Sequence, residues 1–427
     1  MCVDSAVKRT KRPRETSLAD FYQLEDRDIF AKTRAFGPYV EKTKANGHYL
    51  YRRTLVNSCE NRVVVRDEET GREREMIMLA SNNYLGLTNH PKVVEAGMKA
   101  LEDYGIGAGS VPLLAGTLKI HRELEARLAA FKGCEDAIVF SSGYSSNVGA
   151  IAGLARAGDM VINDSLNHAS IIDGCRLSGA TAKAFPHMKI DSLDKLLDRS
   201  KDQYQGKLVV LDGVFSMDGD IAPLPELIEI CQRHGARLMI DEAHATGVIG
   251  SNGRGTPEHH GVEGEVDIVA GTLSKALGAV GGFVASSHEV IQYIRFYARS
   301  YMFSTALPPS TSASVLAGLD VIENEPQLRQ QLWDNIRFLK TALEDAGFNL
   351  GNSETAIFPL ILGDDQKVKE MSRLLHEKGI YVNAVFYPAV ARRLSRVRLS
   401  VMATHTREDL ETAVAACIEA GEEVGAI

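Results

Sequence analysis

Between about residues 75 and 310 the chain alternates short, continuously apolar runs with longer amphipathic ones. The apolar runs are residues 137–140, 160–162, 208–211, 238–240, 268–270 and 283–285. Runs this short and this uniformly apolar read as strands covered on both faces. Between them lie helical stretches. One runs from about Leu224 to His234, with Leu227, Ile228 and Cys231 on one face and Gly235 as its stop. Strand, helix, strand, repeated in this way, predicts a mostly parallel sheet with helices on both sides. After Pro308-Pro309 the pattern changes. Leu328, Leu332, Ile336 and Leu339 share a helical face, strands are expected near 357–362, 381–386 and 397–402, and helices near 367–378 and 407–424. That is a smaller α+β unit. Residues 1–60 are polar and mixed. Phe21-Tyr22 and Ile29-Phe30 open a helical segment, Tyr49-Leu50-Tyr51 reads as extended, and the whole reads as an arm that packs on a partner. The expected division is an arm (1–60), a large domain (61–310) and a small C-terminal domain (311–427), in the α/β class.

Length agrees with this division, because 427 residues exceed one ordinary core. The net charge of −8 argues against nucleic acid as the main partner. One basic run, Lys8-Arg9-Thr10-Lys11-Arg12-Pro13-Arg14, reads as a solvated tail, with peripheral contact to anionic lipid as the alternative. The six cysteines (Cys2, Cys59, Cys134, Cys175, Cys231 and Cys417) show no CxxC and no Cys/His ligand spacing. Neither a disulfide framework nor a metal site is expected, and a reducing cytoplasm fits. No apolar run reaches the roughly 18 residues of a membrane-spanning helix, and the N-terminus lacks the apolar stretch of a signal peptide.

Candidate chemistry sits at successive strand ends. Gly271-Thr272-Leu273-Ser274-Lys275-Ala276-Leu277-Gly278 follows the run 268–270 and places a lysine where α/β sheets bind ligands. Burial among apolar or cationic neighbours makes such an amine nucleophilic. The hydroxyls of Thr272 and Ser274 can bond a phosphate. Met239-Ile240-Asp241-Glu242-Ala243-His244 ends the preceding strand. A carboxylate there can hold a proton on a heteroaromatic nitrogen and keep the ring an electron sink. His244 can reach a ring hydroxyl. Phe140-Ser141-Ser142-Gly143-Tyr144-Ser145-Ser146-Asn147 reads as an anion site at a helix start. In Asp164-Ser165-Leu166-Asn167-His168-Ala169-Ser170 an imidazole can stack on a ring, and in Asp212-Gly213-Val214-Phe215-Ser216-Met217-Asp218-Gly219-Asp220 Ser216 can meet a ring oxygen. Singly, each also reads as an ordinary cap, turn or core residue. The lysine, the carboxylate and the phosphate cradle in sequence are what set them apart.

Together these segments resemble the α-oxoamine synthase family of fold-type I pyridoxal-phosphate (PLP) enzymes. The resemblance covers nearly all of residues 75–427 and includes Ser81-Asn82-Asn83-Tyr84-Leu85-Gly86-Leu87, Ala306-Leu307-Pro308-Pro309 and Arg396-Val397-Arg398-Leu399-Ser400. It implies that Lys275 carries PLP as a Schiff base, and that Asp241 pairs with the pyridine nitrogen. His244 and Ser216 would lie near the ring oxygen and His168 on the ring face. Ser142, Gly143, Tyr144, Thr272 and Ser274 would surround the phosphate, and Ser304 or Thr305 would reach the phosphate of a neighbouring subunit in a homodimer. Arg398 would grip the amino-acid carboxylate, assisted by Asn82. The implied reaction condenses an amino acid with an acyl thioester such as acyl-CoA and releases carbon dioxide.

Within the family, the stretches at 213–221, 298–304 and 400–406, with Tyr381-Val382-Asn383, resemble the bacterial serine palmitoyltransferase branch most. This implies L-serine and long-chain acyl-CoA as substrates and 3-ketodihydrosphingosine as product. The alternatives are the glycine- or alanine-using members (8-amino-7-oxononanoate synthase, 2-amino-3-ketobutyrate CoA ligase, 5-aminolevulinate synthase) and members with a carrier-protein donor. A non-catalytic scaffold subunit of the same fold would lack the lysine that Lys275 supplies. Two departures stand out. Pro112 occupies the place of a usual arginine in the glycine-rich loop 105–117, and Val390-Ala391-Arg392-Arg393 replaces a usual proline and glycine. Arg392 and Arg393 are expected to be exposed, with contact to CoA phosphates or to a carrier protein as the alternative.

Overall fold

The structure is a computed structural model and describes residues 17–22, 24–68 and 70–427. The basic run at residues 8–14 lies outside the described residues. Three short strands come first: β1 (Thr54–Leu55), β2 (Arg62–Arg66) and β3 (Glu73–Met78). The central sheet follows, with β4 (Asp136–Phe140), β5 (Met160–Asp164), β6 (Thr181–Phe185), β7 (Lys207–Asp212), β8 (Arg237–Asp241), β9 (Ile268–Thr272) and β10 (Gly282–Ser286). Its order is β4-β10-β9-β8-β7-β5-β6. β10 is antiparallel to both neighbours and the other pairings are parallel.

Every apolar run expected to be a strand lies inside one of these seven. β5, β7 and β8 extend beyond the apolar run to end on Asp164, Asp212 and Asp241. The polar end residues of a buried strand break the apolar pattern while continuing the ladder. β6 has no counterpart among the apolar runs. It is the sheet edge, and Thr181, Ala182 and Ala184 are exposed, so no continuous apolar run marks it. Nor do β2 and β3 follow from the apolar pattern. Their outer positions carry Arg62–Glu75 and Arg66–Glu73 ion pairs (3.0 and 2.6 Å), the mark of a half-wet antiparallel pair.

The C-terminal part holds β11 (Ile357–Ile361), β12 (Ile380–Tyr381), β13 (Asn383–Val385) and β14 (Arg396–Ser400). β11, β14 and β13 form an antiparallel sheet. The single strand expected over 381–386 is two strands in two sheets, because β12 pairs with β3 while β13 pairs with β14. Side-chain alternation does not register such a change of partner. Residues 54–78 thus share a sheet with the C-terminal segment. The helix Leu224–Arg233 buries Leu227, Ile228 and Cys231, and Gly235 follows it at φ +61°. The helix Pro326–Asp345 buries Leu332, Ile336 and Leu339, with Leu328 partly covered. In the arm, a helix opens at Ala31, directly after Ile29-Phe30, whereas Tyr49-Leu50-Tyr51 is irregular rather than a strand. No helix among the described residues is long and apolar enough to cross a membrane.

What this architecture positions is one edge of the central sheet. The parallel strands β7, β8 and β9 end there at Asp212, Asp241 and Thr272, and β10 begins there at Gly282. The carboxyl ends of parallel strands are where such sheets hold ligands.

Candidate active site

A cavity of about 220 Å³ opens at this edge. Lys275, Thr272 and Ser274 line it from the end of β9, Asp241 and His244 from the end of β8, and Asp212 and Ser216 from the end of β7. Ser142, Gly143, Tyr144, Asn147 and His168 close it from the two helix starts that follow β4 and β5. A larger cavity, about 660 Å³, lies at the opposite edge, where β5, β7 and β8 begin at Met160, Lys207 and Arg237. It holds none of these groups, so size alone does not locate the chemistry.

The anion-binding side is set by close packing. The helix Gly143–Leu154 starts with Ser142 as its cap, whose hydroxyl accepts from the Ser145 N–H. A Cβ on Gly143 would stand 2.8 Å from the Thr272 Cβ, so only glycine lets the helix start meet the end of β9. First-turn N–H groups lack intrahelical partners and favour an anion. The Thr272 hydroxyl lies 2.7 Å from that of Ser274 on the same side.

Asp241 stands at the end of β8. Its Oδ2 accepts from Asn147 Nδ2 (2.6 Å) and its Oδ1 from the Ala243 N–H (2.9 Å). Both donors are neutral, so the carboxylate charge is oriented without being cancelled. The His168 N–H donates to Asp212 Oδ2 (3.1 Å), and His168 Nδ1 meets the Ser170 hydroxyl (2.8 Å). Burial holds the His168 imidazole below its ordinary value, partly opposed by the charge of Asp241. His244 pairs through Nδ1 with the Tyr84 hydroxyl at 2.7 Å. Burial drives His244 well below the usual range, reinforced by Lys275 and Arg398, so it is neutral near pH 7. Burial also pushes the Tyr84 phenol up to about 12, keeping it a donor. The Lys275 amine is lowered to about 8. Burial is the main cause, and Asp241 and Asp212 oppose it.

Arg398 lies just behind the cavity on β14, 5% exposed. Nε donates to the Ser216 carbonyl (2.7 Å), Nη1 to the Ser400 hydroxyl (2.9 Å) and Nη2 to Asn82 Oδ1 (3.3 Å). Every partner is neutral. Among the described residues no carboxylate pairs with this guanidinium. A buried cation without a counter-charge is costly, and an incoming carboxylate relieves that cost with bidentate geometry.

The structure thus brings ten sequence-derived candidates to one cavity and sets Asn82 and Arg398 at its rear. Two stand apart. The Ser304 hydroxyl faces that of Ser141 at 3.2 Å, and Thr305 is exposed. Neither lines the cavity of its own chain. Nor does the loop bearing Pro112, whose carbonyl accepts from the Thr117 hydroxyl. Arg392 is engaged within the chain, bonded to Asp365 (2.6 Å) and seated over the Tyr387 ring, whereas Arg393 is exposed. Asn147, Tyr84 and Ser170 carried no role in the sequence reading. Asn147 was findable, since it follows Gly143 by one helical turn and so faces the same side. Ser170 lines the cavity two residues after His168 and bonds its imidazole, whereas Tyr84 acts through His244, 160 positions away, which linear spacing does not reveal.

These groups fit a phosphorylated heteroaromatic aldehyde. The lysine can condense with the aldehyde, Asp241 can hold a ring-nitrogen proton, and the glycine cradle suits the phosphate. At the cavity, two buried oxygens, Asn147 Oδ1 and Asp212 Oδ1, have no partner among the described residues. Comparisons with known proteins agree. The family model "Aminotransferase class I and II" matches residues 74–416. Over 409 residues the chain is 43% identical to the 4-hydroxy-2,2'-bipyrrole-5-methanol synthase PigH of Serratia sp.. That match covers 96% of this chain but spans only 62% of that relative's length. Identity to the 8-amino-7-oxononanoate synthase of Symbiobacterium thermophilum is 46% over 354 residues, covering 83% of this chain and 90% of the relative. The solved serine palmitoyltransferase of S. paucimobilis with bound PLP and myriocin superimposes with a TM-score of 0.89 at 37% identity, covering 94% of this chain and 100% of that one. The chain belongs to the class I and II aminotransferase family of PLP-dependent fold-type I enzymes, within its α-oxoamine synthase group.

Proposed function

We propose that the chain joins a small α-amino acid to an acyl thioester, forming a carbon–carbon bond at the α-carbon and releasing carbon dioxide and the free thiol, to leave an α-amino ketone. The observation that carries this reading is the buried, anion-free guanidinium of Arg398 beside the cavity that holds Lys275 and Asp241.

Pyridoxal phosphate, when bound, supplies an electron sink for charge left at the α-carbon. The chain's own groups do the rest. Arg398 binds and orients the substrate carboxylate, with Asn82 beside it. Lys275, neutral above about pH 8, removes the α-proton and later returns one. Asp241 holds a proton at the ring nitrogen. His244, kept neutral and oriented by Tyr84, serves the ring oxygen together with Ser216. His168 covers the ring face. The helix start at Ser142, Gly143 and Tyr144, with Thr272 and Ser274, holds the phosphate. Ser304 and Thr305, away from their own cavity, serve the phosphate site of a second copy in a homodimer.

For the amino acid, the 8-amino-7-oxononanoate synthases at 43–46% identity favour glycine or alanine. A second reading, L-serine with a long-chain acyl-CoA, has the support of the serine palmitoyltransferase structures, which cover 94% of the chain at 37–38% identity. Thiol release measured across glycine, alanine and serine, each against short and long acyl-CoAs, separates the two. Glycine or alanine is expected to give the highest rate. Turnover with serine alone would establish the second reading in its place, and no thiol release from any pair would overturn both.

A further inference from the structure

Two arginines stand on one face of β14. Arg396 and Arg398 are two positions apart, so their side chains point the same way. Both are buried, 1% and 5% exposed, and both reach the loop that follows β7. Arg398 Nε donates to the Ser216 carbonyl (2.7 Å). Arg396 Nη1 donates to the next carbonyl, that of Met217, and to Asp218 Oδ1, each at 2.8 Å, while its Nε donates to the Leu394 carbonyl. What separates the two is charge. Arg396 pairs with the Asp218 carboxylate, whereas every partner of Arg398 is neutral. The other carboxylate of the loop, Asp220, is engaged on the far side. It meets His187 Nε2 at 2.9 Å, and His187 Nδ1 meets Asp164 at the end of β5 (3.1 Å). Between the two carboxylates, Gly219 (φ +77°) packs so closely that a Cβ would stand 2.6 Å from Ser353 Oγ and 2.7 Å from the Ile357 carbonyl. The loop is thus a strap from the end of β5 to β11 and β14, and Ser216 is its cavity-lining residue next to the Arg396 contacts.

We propose that Arg396 is a positioning residue for the substrate carboxylate. By holding the Met217 carbonyl and the Asp218 carboxylate, it sets the Ser216 carbonyl against which Arg398 is aimed. It also neutralises Asp218, so the charge of Arg398 is left for the substrate. The inference rests on the reading of Arg398 as the group that binds the amino-acid carboxylate, and it names the residue that keeps that guanidinium aimed and unpaired. Arg396 does not line the cavity. Its loss therefore acts on recognition of the carboxylate and leaves Lys275, Asp241 and the phosphate cradle in place.

The test uses the full chain loaded with pyridoxal phosphate. Glycine, L-alanine and L-serine are each compared with methylamine, ethylamine and ethanolamine, the same molecules without the carboxylate. The readout is the concentration of each that shifts the visible absorption of the bound cofactor by half. The parent is expected to bind its amino acid far more tightly than the matching amine. Arg396→Met should weaken the amino acid about tenfold and leave the amine within about twofold, the range over which a residue without ligand contact alters affinity. The absorption before any addition should match the parent. Arg396→Lys keeps a cation for Asp218 and the Met217 carbonyl and should recover most of the loss. Asp218→Asn breaks the pair from its more exposed side, where the side chain is 24% exposed. It should weaken the amino acid in the same selective way, and it carries the comparison if Arg396→Met does not fold. Equal weakening of amino acid and amine, or no change for either in both variants, would overturn the proposal and leave the pair as a fastening of the loop. A parent chain that does not distinguish any amino acid from its amine would instead overturn the reading of Arg398.

Discussion

Lys275→Ala is expected to lower condensation by about 10⁴-fold, the upper range for loss of a positioned acid–base group. The same variant should lose the visible absorption of lysine-bound cofactor, although it can still bind PLP non-covalently through Asp241 and the glycine cradle. The expectation follows from where the amine sits. Lys275 follows β9 at the edge where β7 and β8 place Asp212 and Asp241, and burial brings its amine down to about 8. A lowered lysine value means a larger neutral, nucleophilic fraction at neutral pH. No other lysine among the described residues lines this cavity, so none of them can take over its role. Turnover and the absorption spectrum, measured on the purified variant, check both parts. A variant that keeps most of its turnover would remove Lys275 from the chemistry.

Asp241→Asn should cost about 10³-fold in turnover, the scale seen when one preorganised electrostatic partner is lost. Asparagine nearly preserves the shape. Its single oxygen can still accept from the Ala243 N–H or from Asn147 Nδ2, though not from both in the present geometry. What disappears is the negative charge that keeps a proton on the ring nitrogen. The fold should survive, because the β7–β8 and β8–β9 ladders do not depend on the side chain. Steady-state turnover at saturating amino acid, with a far-UV spectrum as the folding control, measures this. A loss under tenfold would place the ring-nitrogen contact elsewhere.

Much of this site is legible in the sequence because its groups sit at the ends of buried parallel strands. Apolar runs such as 208–211 and 238–240 locate the strands, and the first polar residue after each, Asp212 or Asp241, faces the ligand edge. Glycine at 143 is equally legible, since a helix start packed on Thr272 excludes a Cβ. What spacing does not show is which side chains meet across the fold. Tyr84 and His244 lie 160 positions apart yet share a hydrogen bond, and Arg398 reaches Asn82 across 316. The adjacency of Asp212 and Asp241 depends on strand order and register, neither of which is local. The same reason explains β6, whose edge position strips it of an apolar signature, and the change of sheet at Val382. Nor does local spacing show that Ser304 and Thr305 do not line their own chain's cavity.

Formation of a carbon–carbon bond with loss of carbon dioxide is what sets the proposed reaction apart from amino-group transfer. The most direct measurement supplies the PLP-loaded chain with a carboxyl-labelled amino acid and an acyl-CoA, and follows labelled carbon dioxide and free thiol together. Equimolar release of the two is expected, with an α-amino ketone as product. Conversion of the amino acid to a keto acid, with its amino group left on the cofactor and neither carbon dioxide nor thiol released, would contradict it.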